Sequence, residues 1–96
     1  MLAFEWHDAK ASSNEIKHGV AFEVACTALL DIHALHLGHH RVGFEDRFRI
    51  VGVVGSQKIL CIVYTIRGSK LRLISARGAT RHEEKTYWDR VLHHHR

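Results

Sequence analysis

Three apolar segments separated by two short turns dominate the second half of the chain and restrict it to a β-rich fold. The segments are 48–54, 58–66 and 70–77, and the turns carry Gly55-Ser56 and Arg67-Gly68-Ser69. Turns this short join neighbouring antiparallel strands, because a parallel connection needs a longer crossover. The middle segment is the most apolar part of the chain, and its length predicts a central strand that is covered on both faces.

The first half of the chain predicts two helices and two further strands. Residues 2–6 alternate apolar and polar side chains as a short strand does, and 32–39 alternate in the same way. Asp8 is a suitable N-cap for a helix that ends just before Gly19, which supplies the left-handed C′ position. A second helix is predicted over about 21–30, because apolar residues recur there on one face at helical spacing.

A final helix is predicted over about 80–92. Thr80 and Glu83 have the spacing of a capping box, in which the threonine oxygen accepts a backbone hydrogen bond and the glutamate reaches back to the N-cap. The side chains expected on the buried face of this helix include Tyr87, Trp88 and Val91.

Together these elements predict an α+β fold, in which a small antiparallel sheet forms a meander with helices N-terminal to it and one helix C-terminal to it. The chain has 96 residues and no proline, linker or repeat. We therefore predict one domain over 1–96, with a frayed tract at 93–96. No segment approaches the roughly 18–20 apolar residues of a membrane span, and the N-terminus lacks a signal-peptide pattern. The protein is expected in the cytoplasm, without a membrane partner.

The positive charge lies in the C-terminal part of the chain. The formal net charge is +4, made up of −3 through His40 and +7 from Arg41 onward. Such an asymmetry suits a polyanion or an acidic protein as partner. Cys26 and Cys61 lie in apolar runs and are expected to be buried hydrophobic residues, with a disulfide or a reactive thiol as the alternative.

Three ordered blocks of residues span about 4–88 and form a specific signature. The first block is Phe4-Glu5-Trp6, Lys10, Asn14 and Lys17-His18-Gly19-Val20, followed by Phe22-Glu23 and Ala25; the second is Arg47 to Gly52; the third is Thr65, Arg67-Gly68, Arg72, Ile74-Ser75-Ala76-Arg77 and Ala79-Thr80. In order and spacing these blocks resemble the BrnT toxin family, the ribonuclease half of a type II toxin–antitoxin pair.

This resemblance implies a RelE-like toxin fold and a metal-independent endoribonuclease that needs no cofactor. It also implies neutralisation by a cognate BrnA-like antitoxin, with operator DNA contacted only indirectly, through that antitoxin. The family usually has an acidic residue directly after the tryptophan, whereas this chain has His7. One alternative is therefore a catalytically degenerate toxin-fold protein that binds the antitoxin and takes part in operon autoregulation. Plain binding of nucleic acid through the basic half is a third possibility.

Arginines are the leading candidates for the chemistry, because RNA cleavage builds negative charge on phosphate oxygens that a guanidinium can stabilise. Arg77 ranks first, since it ends a strand beside the N-terminus of the last helix, where free N–H groups favour a phosphate. Arg67 at the hairpin tip ranks second. Arg72 is an RNA-binding candidate, although in a regular strand it faces away from Arg77 unless a bulge intervenes. Each arginine has a solvated or structural role as its alternative.

Lys17 and His18 are the remaining catalytic candidates, and Trp6 is a candidate for RNA binding. A histidine can act as base or acid near neutrality, a lysine can bind phosphate, and a tryptophan can stack on a base. The alternatives are capping and charge complementation at the helix end for the first two residues, and core packing for the tryptophan. No metal site is predicted, because cysteines or carboxylates at zinc-site spacing do not accompany the remaining histidines, which include His33, His36, His39 and His40.

Overall fold

The computed structural model describes residues 3–94 and contains a five-stranded sheet. The strands are β1 Ala3–Trp6, β2 Leu35–Val42, β3 Glu45–Val54, β4 Lys58–Arg67 and β5 Lys70–Gly78. The helices are α1 Asp8–His18, α2 Phe22–Ala25 and α3 Arg81–His94, and a 3₁₀ helix, Cys26–Leu30, follows α2 directly. The strand order across the sheet is β1-β5-β4-β3-β2.

The predicted α+β fold is confirmed, but the prediction of a purely antiparallel meander is wrong because the sheet is mixed. Strands β2 to β5 pair with their neighbours in antiparallel fashion. Strand β1 instead pairs in parallel with β5, from Ala3 opposite Lys70 to Trp6 opposite Leu73. Alternation along 2–6 predicts a strand but carries no information on its partner. Residue Leu2 of that predicted strand lies outside the described residues.

Strand β4 is buried on both faces, as its apolar run predicted. On one face Leu60 joins a core cluster with Phe22 of α2. On the other face Ile59 and Cys61 pack against Tyr87 of α3. Helices α1 and α2 therefore cover one face of the sheet, and α3 covers part of the other. Both cysteines are free thiols, with Cys61 buried and Cys26 partly buried.

The segment 21–30 was predicted as one helix, and in the structure it divides into α2 and the 3₁₀ helix. The 3₁₀ helix lies close against β3 at Gly52, where an added Cβ would collide with the carbonyl oxygen of Ala28. The next strand begins at Leu35 rather than at 32 and contains a bulge at Leu37, which pairs with no residue of β3.

The helix ends follow the predicted capping chemistry with one correction. Helix α1 begins at Asp8, so the N-cap is His7, whose side chain makes no capping hydrogen bond. Gly19 takes the predicted left-handed conformation at φ 69°. At α3 the capping box is confirmed: the backbone N–H of Glu83 donates to Thr80 Oγ1 at 3.1 Å, and the N–H of Thr80 donates to Glu83 Oε1 at 2.9 Å.

Helix α3 buries a narrower face than the sequence predicted. Tyr87 is buried and Val91 is partly buried, but Trp88 is exposed, so its predicted burial is wrong. The helix continues to His94, into the tract 93–96 predicted to be frayed, whose last two residues lie outside the described part of the chain. Within residues 3–94, no helix is both long enough and apolar enough to span a bilayer.

Candidate functional site

A β-bulge at Ile74 decides which way the arginines of β5 point. Val63 of β4 pairs with Ser75 and Tyr64 pairs with Leu73, so Ile74 has no partner across the ladder. The extra residue reverses the alternation of side chains that follows it. Arg72 and Arg77 consequently lie on the same face of the sheet, whereas a regular strand would have placed them on opposite faces.

Six lysine and arginine side chains of strands β3 to β5 share this face of the sheet, which α3 covers in part. The strand registers place them on the side of Ile59 and Cys61, away from α1 and α2. We call this surface the cationic face, defined by Arg47, Arg49, Arg67, Lys70, Arg72 and Arg77. The predicted candidates Arg67, Arg72 and Arg77 are thus brought to one surface.

Carboxylates fix several of these cations in place. Arg72 Nε donates to Glu5 Oε2 at 2.8 Å, and Lys70 Nζ lies 3.9 Å from Glu5 Oε1. The hydrogen bond from Arg72 is the largest reason that the pKa of Glu5 lies below its ordinary value. Arg47 Nε donates in the same way to Glu45 Oε2 at 2.8 Å. These pairs hold the side chains in defined positions and neutralise part of their charge.

Arg77 is the most firmly held member of the cationic face. Its Nη1 and Nη2 donate to the two carboxylate oxygens of Glu83 at 2.8 and 3.1 Å, and Nη1 also donates to the Gly78 carbonyl at 3.1 Å. Glu83 is 8% exposed and is the capping-box residue of α3. The hydrogen bond from Arg77 is the largest cause that lowers the pKa of Glu83, to about 2. Arg77 therefore lies at the N-terminus of α3, as predicted, with a carboxylate as its neighbour.

Lys17 and His18 lie at the C-terminal end of α1, beside the edge of β5. Both are exposed and line a shallow groove of about 310 Å³ that also includes Ile74 and Ser75 at the bulge. Ser75 faces the same side of the sheet as the cationic face and lies between Arg72 and Arg77 along β5. Lys17 and His18 thus lie at the edge of the sheet beside residues 74 and 75 of β5. They are next to the cationic face but not on it.

Trp6 lies on the opposite face of the sheet from the arginines. Its ring packs edge-on against Phe22 with ring centroids 5.9 Å apart, and it contributes to the main core cluster. This position fits the core-packing alternative, and the predicted stacking of an RNA base on Trp6 has no support from the packing.

Comparison with known proteins identifies the family to which these features belong. Residues 6–83 match the family described as ribonuclease toxin, BrnT, of type II toxin–antitoxin system. The chain belongs to the BrnT toxin family. Its fold is similar to that in the 1.1 Å crystal structure of the Brucella abortus ribonuclease toxin BrnT, with a TM-score of 0.67 and 23% sequence identity. That match covers 84% of this chain and 100% of the Brucella chain. The search of curated proteins gives no match.

Sequence reasoning on this BrnT family member missed Arg49 and the ion-pair partners of the arginines. Arg47 and Arg49 are two positions apart on β3 and therefore share a face, a signal that was visible in the sequence. Glu83 was identified as a helix cap, but its pairing with Arg77 depends on the turn between β5 and α3. The pairing of Glu5 with Arg72 depends on the parallel pairing of β1 with β5, which no local sequence pattern predicts.

The histidines of this BrnT family member form no metal cluster within residues 3–94, where no group of three or more metal-ligating side chains occurs. His39 Nε2 lies 3.2 Å from Asp46 Oδ1, and its ring stacks on Phe48 with centroids 4.8 Å apart. These contacts lie on the face of the sheet opposite to the cationic face.

Proposed function

We propose that this BrnT family member is a metal-independent endoribonuclease toxin that binds RNA on the cationic face. The observation that carries the proposal is the bulge at Ile74, which puts Arg72 and Arg77 on one surface with four further cations. Membership of a ribonuclease toxin family supports the reaction class. Carboxylate pairing supports preorganisation, because a guanidinium that is already oriented needs little rearrangement as charge develops on a phosphate.

The proposed reaction needs only groups that protein side chains and RNA supply. The ribose 2′-oxygen bonds to the adjacent phosphorus while the bond from phosphorus to the 5′-oxygen breaks, which leaves a 2′,3′-cyclic phosphate and a 5′-hydroxyl. A base takes the 2′-hydroxyl proton, and the leaving oxygen takes a proton from an acid or from water. We assign proton transfer to His18, phosphate binding to Lys17, and charge stabilisation on the phosphate to Arg77, Arg67 and Arg72.

The proposed partner is a cognate BrnA-like antitoxin, since the family belongs to type II toxin–antitoxin systems. An acidic antitoxin segment would be attracted to the cationic face and would block access of RNA to it. On this proposal operator DNA is contacted only through the antitoxin. The RelE-like relationship of the fold remains a prediction.

The decisive experiment incubates the purified, antitoxin-free protein with a defined labelled RNA in excess EDTA. Arg72→Ala is the informative variant, because Glu5 keeps Lys70 as a partner and lies near the surface. Arg77→Ala would instead leave the buried carboxylate of Glu83 without its guanidinium. The matched control is Arg90→Ala, which removes an exposed arginine on α3. Circular dichroism verifies that each variant is folded.

We expect cleavage by the wild type and by Arg90→Ala, and a loss of roughly 10²-fold or more in Arg72→Ala, the scale seen when one donor to a developing oxyanion is removed. Equal cleavage by all three proteins would indicate a contaminating nuclease or a wrong site. No cleavage by the wild type, with or without translating ribosomes, would refute the proposed activity.

The alternative of a catalytically degenerate antitoxin-binding module rests on His7, and the position of His7 in the structure indicates what its substitution for an acidic residue changes. His7 is the N-cap of α1 and makes no side-chain capping bond there. An acidic residue at this position would cap the helix, so its replacement costs about 1 kcal/mol of stability and removes no cation from the cationic face. The degenerate module predicts a stable antitoxin complex together with harmless expression and no RNA fragments.

A further inference from the structure

We propose that Arg49 and Arg77 hold one phosphodiester of the RNA in a pocket on the cationic face, an inference that rests on the proposed ribonuclease function. The pocket has a volume of about 390 Å³. Its walls come from four neighbouring strands, through Gly38, His39, His40, Arg49, Val63 and Arg77. Arg49 lies within the second block, Arg47 to Gly52, but no role was predicted for it from the sequence, and the role proposed here rests on the geometry of the pocket.

The strand registers put the two arginines on either side of the pocket floor. Arg49 on β3 lies opposite Gly38 on one side and opposite Val63 on the other. Ser75 on β5 lies opposite Val63, and Arg77 is two residues further along β5. With strands about 4.8 Å apart and a rise of about 3.4 Å per residue, the two arginine Cα atoms are roughly 12 Å apart. Two long side chains can therefore approach one anion above Val63 from opposite sides.

Gly38 lies beside the Arg49 guanidinium and contributes no side chain to the pocket. A Cβ built on Gly38 would be 3.7 Å from Arg49 Nη2 and would meet no other atom within 4 Å. Gly38 does not have the positive φ that four other glycines of the chain adopt, so its backbone conformation does not call for glycine. What the glycine provides is room beside Arg49, and a larger side chain would fill that side of the pocket.

Both guanidiniums have donors left for a ligand. An arginine has five N–H donors, and Arg77 uses three of them on Glu83 and the Gly78 carbonyl, which leaves the Nε–H and one Nη2–H. Arg49 is exposed and has no carboxylate partner among residues 3–94. The Arg77–Glu83 pair is close to neutral, so Arg49 gives the pocket its net positive charge. Two planar forks match the two non-bridging oxygens of a phosphodiester, which carries one negative charge.

The test measures binding separately from cleavage. The probe is a fluorescein-labelled 2′-O-methyl oligoribonucleotide, which lacks the attacking hydroxyl, and fluorescence anisotropy gives its affinity over a range of salt concentrations. Arg49→Ala removes the charge, Arg49→Lys keeps the charge without the planar fork, and Gly38→Val fills the pocket while all charges stay. The matched control is Arg41→Ala, which removes one arginine from the opposite face of the same hairpin.

We expect Arg49→Ala to bind about tenfold more weakly than the wild type and to lower the slope of log affinity against log salt by roughly 0.7, the value for one phosphate of a single strand. Arg49→Lys and Gly38→Val should each bind several-fold more weakly, and Arg41→Ala should bind as the wild type does. If Gly38→Val does not fold by circular dichroism, the contrast of Arg49→Lys with Arg41→Ala decides the matter alone.

The proposed pocket would be refuted if the wild-type protein did not bind the probe, or if Arg49→Ala or a folded Gly38→Val bound it with unchanged affinity. It would also be refuted if Arg41→Ala lost as much affinity as Arg49→Ala. A polyglutamate peptide that binds more tightly than the probe, with the same dependence on Arg49, would assign the pocket to an acidic protein segment instead. Cleavage of unmodified RNA is scored apart from these results. If binding depends on Arg49 but RNA is not cleaved, the proposed function is refuted and the proposed pocket stands. If RNA is cleaved but binding does not depend on Arg49, the proposed pocket is refuted and the proposed function stands.

Discussion

Replacement of Glu83 by glutamine should destabilise the protein in a way that depends on pH. The carboxylate of Glu83 accepts two hydrogen bonds from Arg77 and one from the backbone of Thr80, and it is almost fully buried. Its pKa falls from the ordinary 4.5 to about 2, with the hydrogen bond from Arg77 as the largest cause. Since a tenfold change in proton affinity equals ~1.4 kcal/mol, the ionised carboxylate contributes on the order of 3 kcal/mol to folding above pH 4.5.

The direction of the pH dependence follows from the lowered pKa. The folded protein holds the proton of Glu83 more weakly than the unfolded chain does, so the contribution is complete above pH 4.5 and disappears as the pH falls toward 2. Glu83→Gln has no carboxyl group to titrate. The free energy of unfolding of the variant should therefore lie below that of the wild type by about 2–3 kcal/mol at pH 7, and the difference should shrink between pH 4.5 and 2.

Urea unfolding at several pH values, followed by circular dichroism, measures this difference. Glu84→Gln is the matched control, because Glu84 is the next residue of the same helix turn and is exposed. We expect Glu84→Gln to differ from the wild type by less than about 0.5 kcal/mol at every pH. A difference between wild type and Glu83→Gln that stays constant from pH 7 to pH 2.5, or one no larger than that of the control, would refute the role assigned to the Arg77–Glu83 pair.

Three further substitutions, the first with a matched control, test the packing and hydrogen bonds around the sheet. Gly52→Ala should lower the free energy of unfolding by about 2–3 kcal/mol, because the new methyl group meets the carbonyl of the 3₁₀ helix; Gly78→Ala, which meets no atom within 4 Å, should melt within a few degrees of the wild type. Asn14→Ala should cost about 2–3 kcal/mol in urea unfolding, since this buried amide makes three hydrogen bonds to backbone groups. Tyr87→Phe removes the hydrogen bond to Asp31 and should cost about 1–2 kcal/mol, and an unchanged melting temperature would show that this bond contributes nothing.

The strands of the second half were predictable because local chemistry determines both their period and their connections. The predicted segment 58–66 is observed as Lys58–Arg67, and 70–77 is observed as Lys70–Gly78. The turn between them contains Gly68 at φ 61°, a conformation that glycine adopts without strain. Short turns with such residues leave antiparallel pairing as the only geometry for neighbouring strands.

The partner of β1 was not predictable, because it depends on contacts more than sixty residues away in the chain. Ala3–Trp6 reads as a strand from its alternation, yet only the folded structure shows that it pairs in parallel with β5. Beyond the end of β1, the side chain of Asn14 takes over the exposed edge of β5: it accepts from the Ala76 N–H at 3.0 Å and donates to the Ala76 carbonyl at 2.8 Å. An asparagine in the middle of a helix gives no sign of such a role.

The candidate site was predictable in its residue types and not in its arrangement. Arg67, Arg72 and Arg77 were identified from the sequence, but the face on which each lies depends on the bulge at Ile74. The residues Ile74-Ser75 look like ordinary strand, with no glycine to mark the irregularity. Because one inserted residue reverses the alternation, an error at this single position moves Arg77 from one side of the sheet to the other.

The charge of the chain is concentrated where these arginines lie. The cationic face holds six cations, and the three carboxylates that bond to them, Glu5, Glu45 and Glu83, leave a formal surplus of +3 out of the +4 of the whole chain. Arg47, Arg72 and Arg77 are oriented by carboxylates, whereas Arg49 and Arg67 form no salt bridge within residues 3–94 and supply net charge. A surface of this kind attracts a polyanion over a distance of about 8 Å at physiological salt and then holds it through donors whose positions are already fixed. If the carboxylates were absent, the face would carry more charge but its arginines would be less firmly oriented, and the proposed cleavage reaction depends on that orientation.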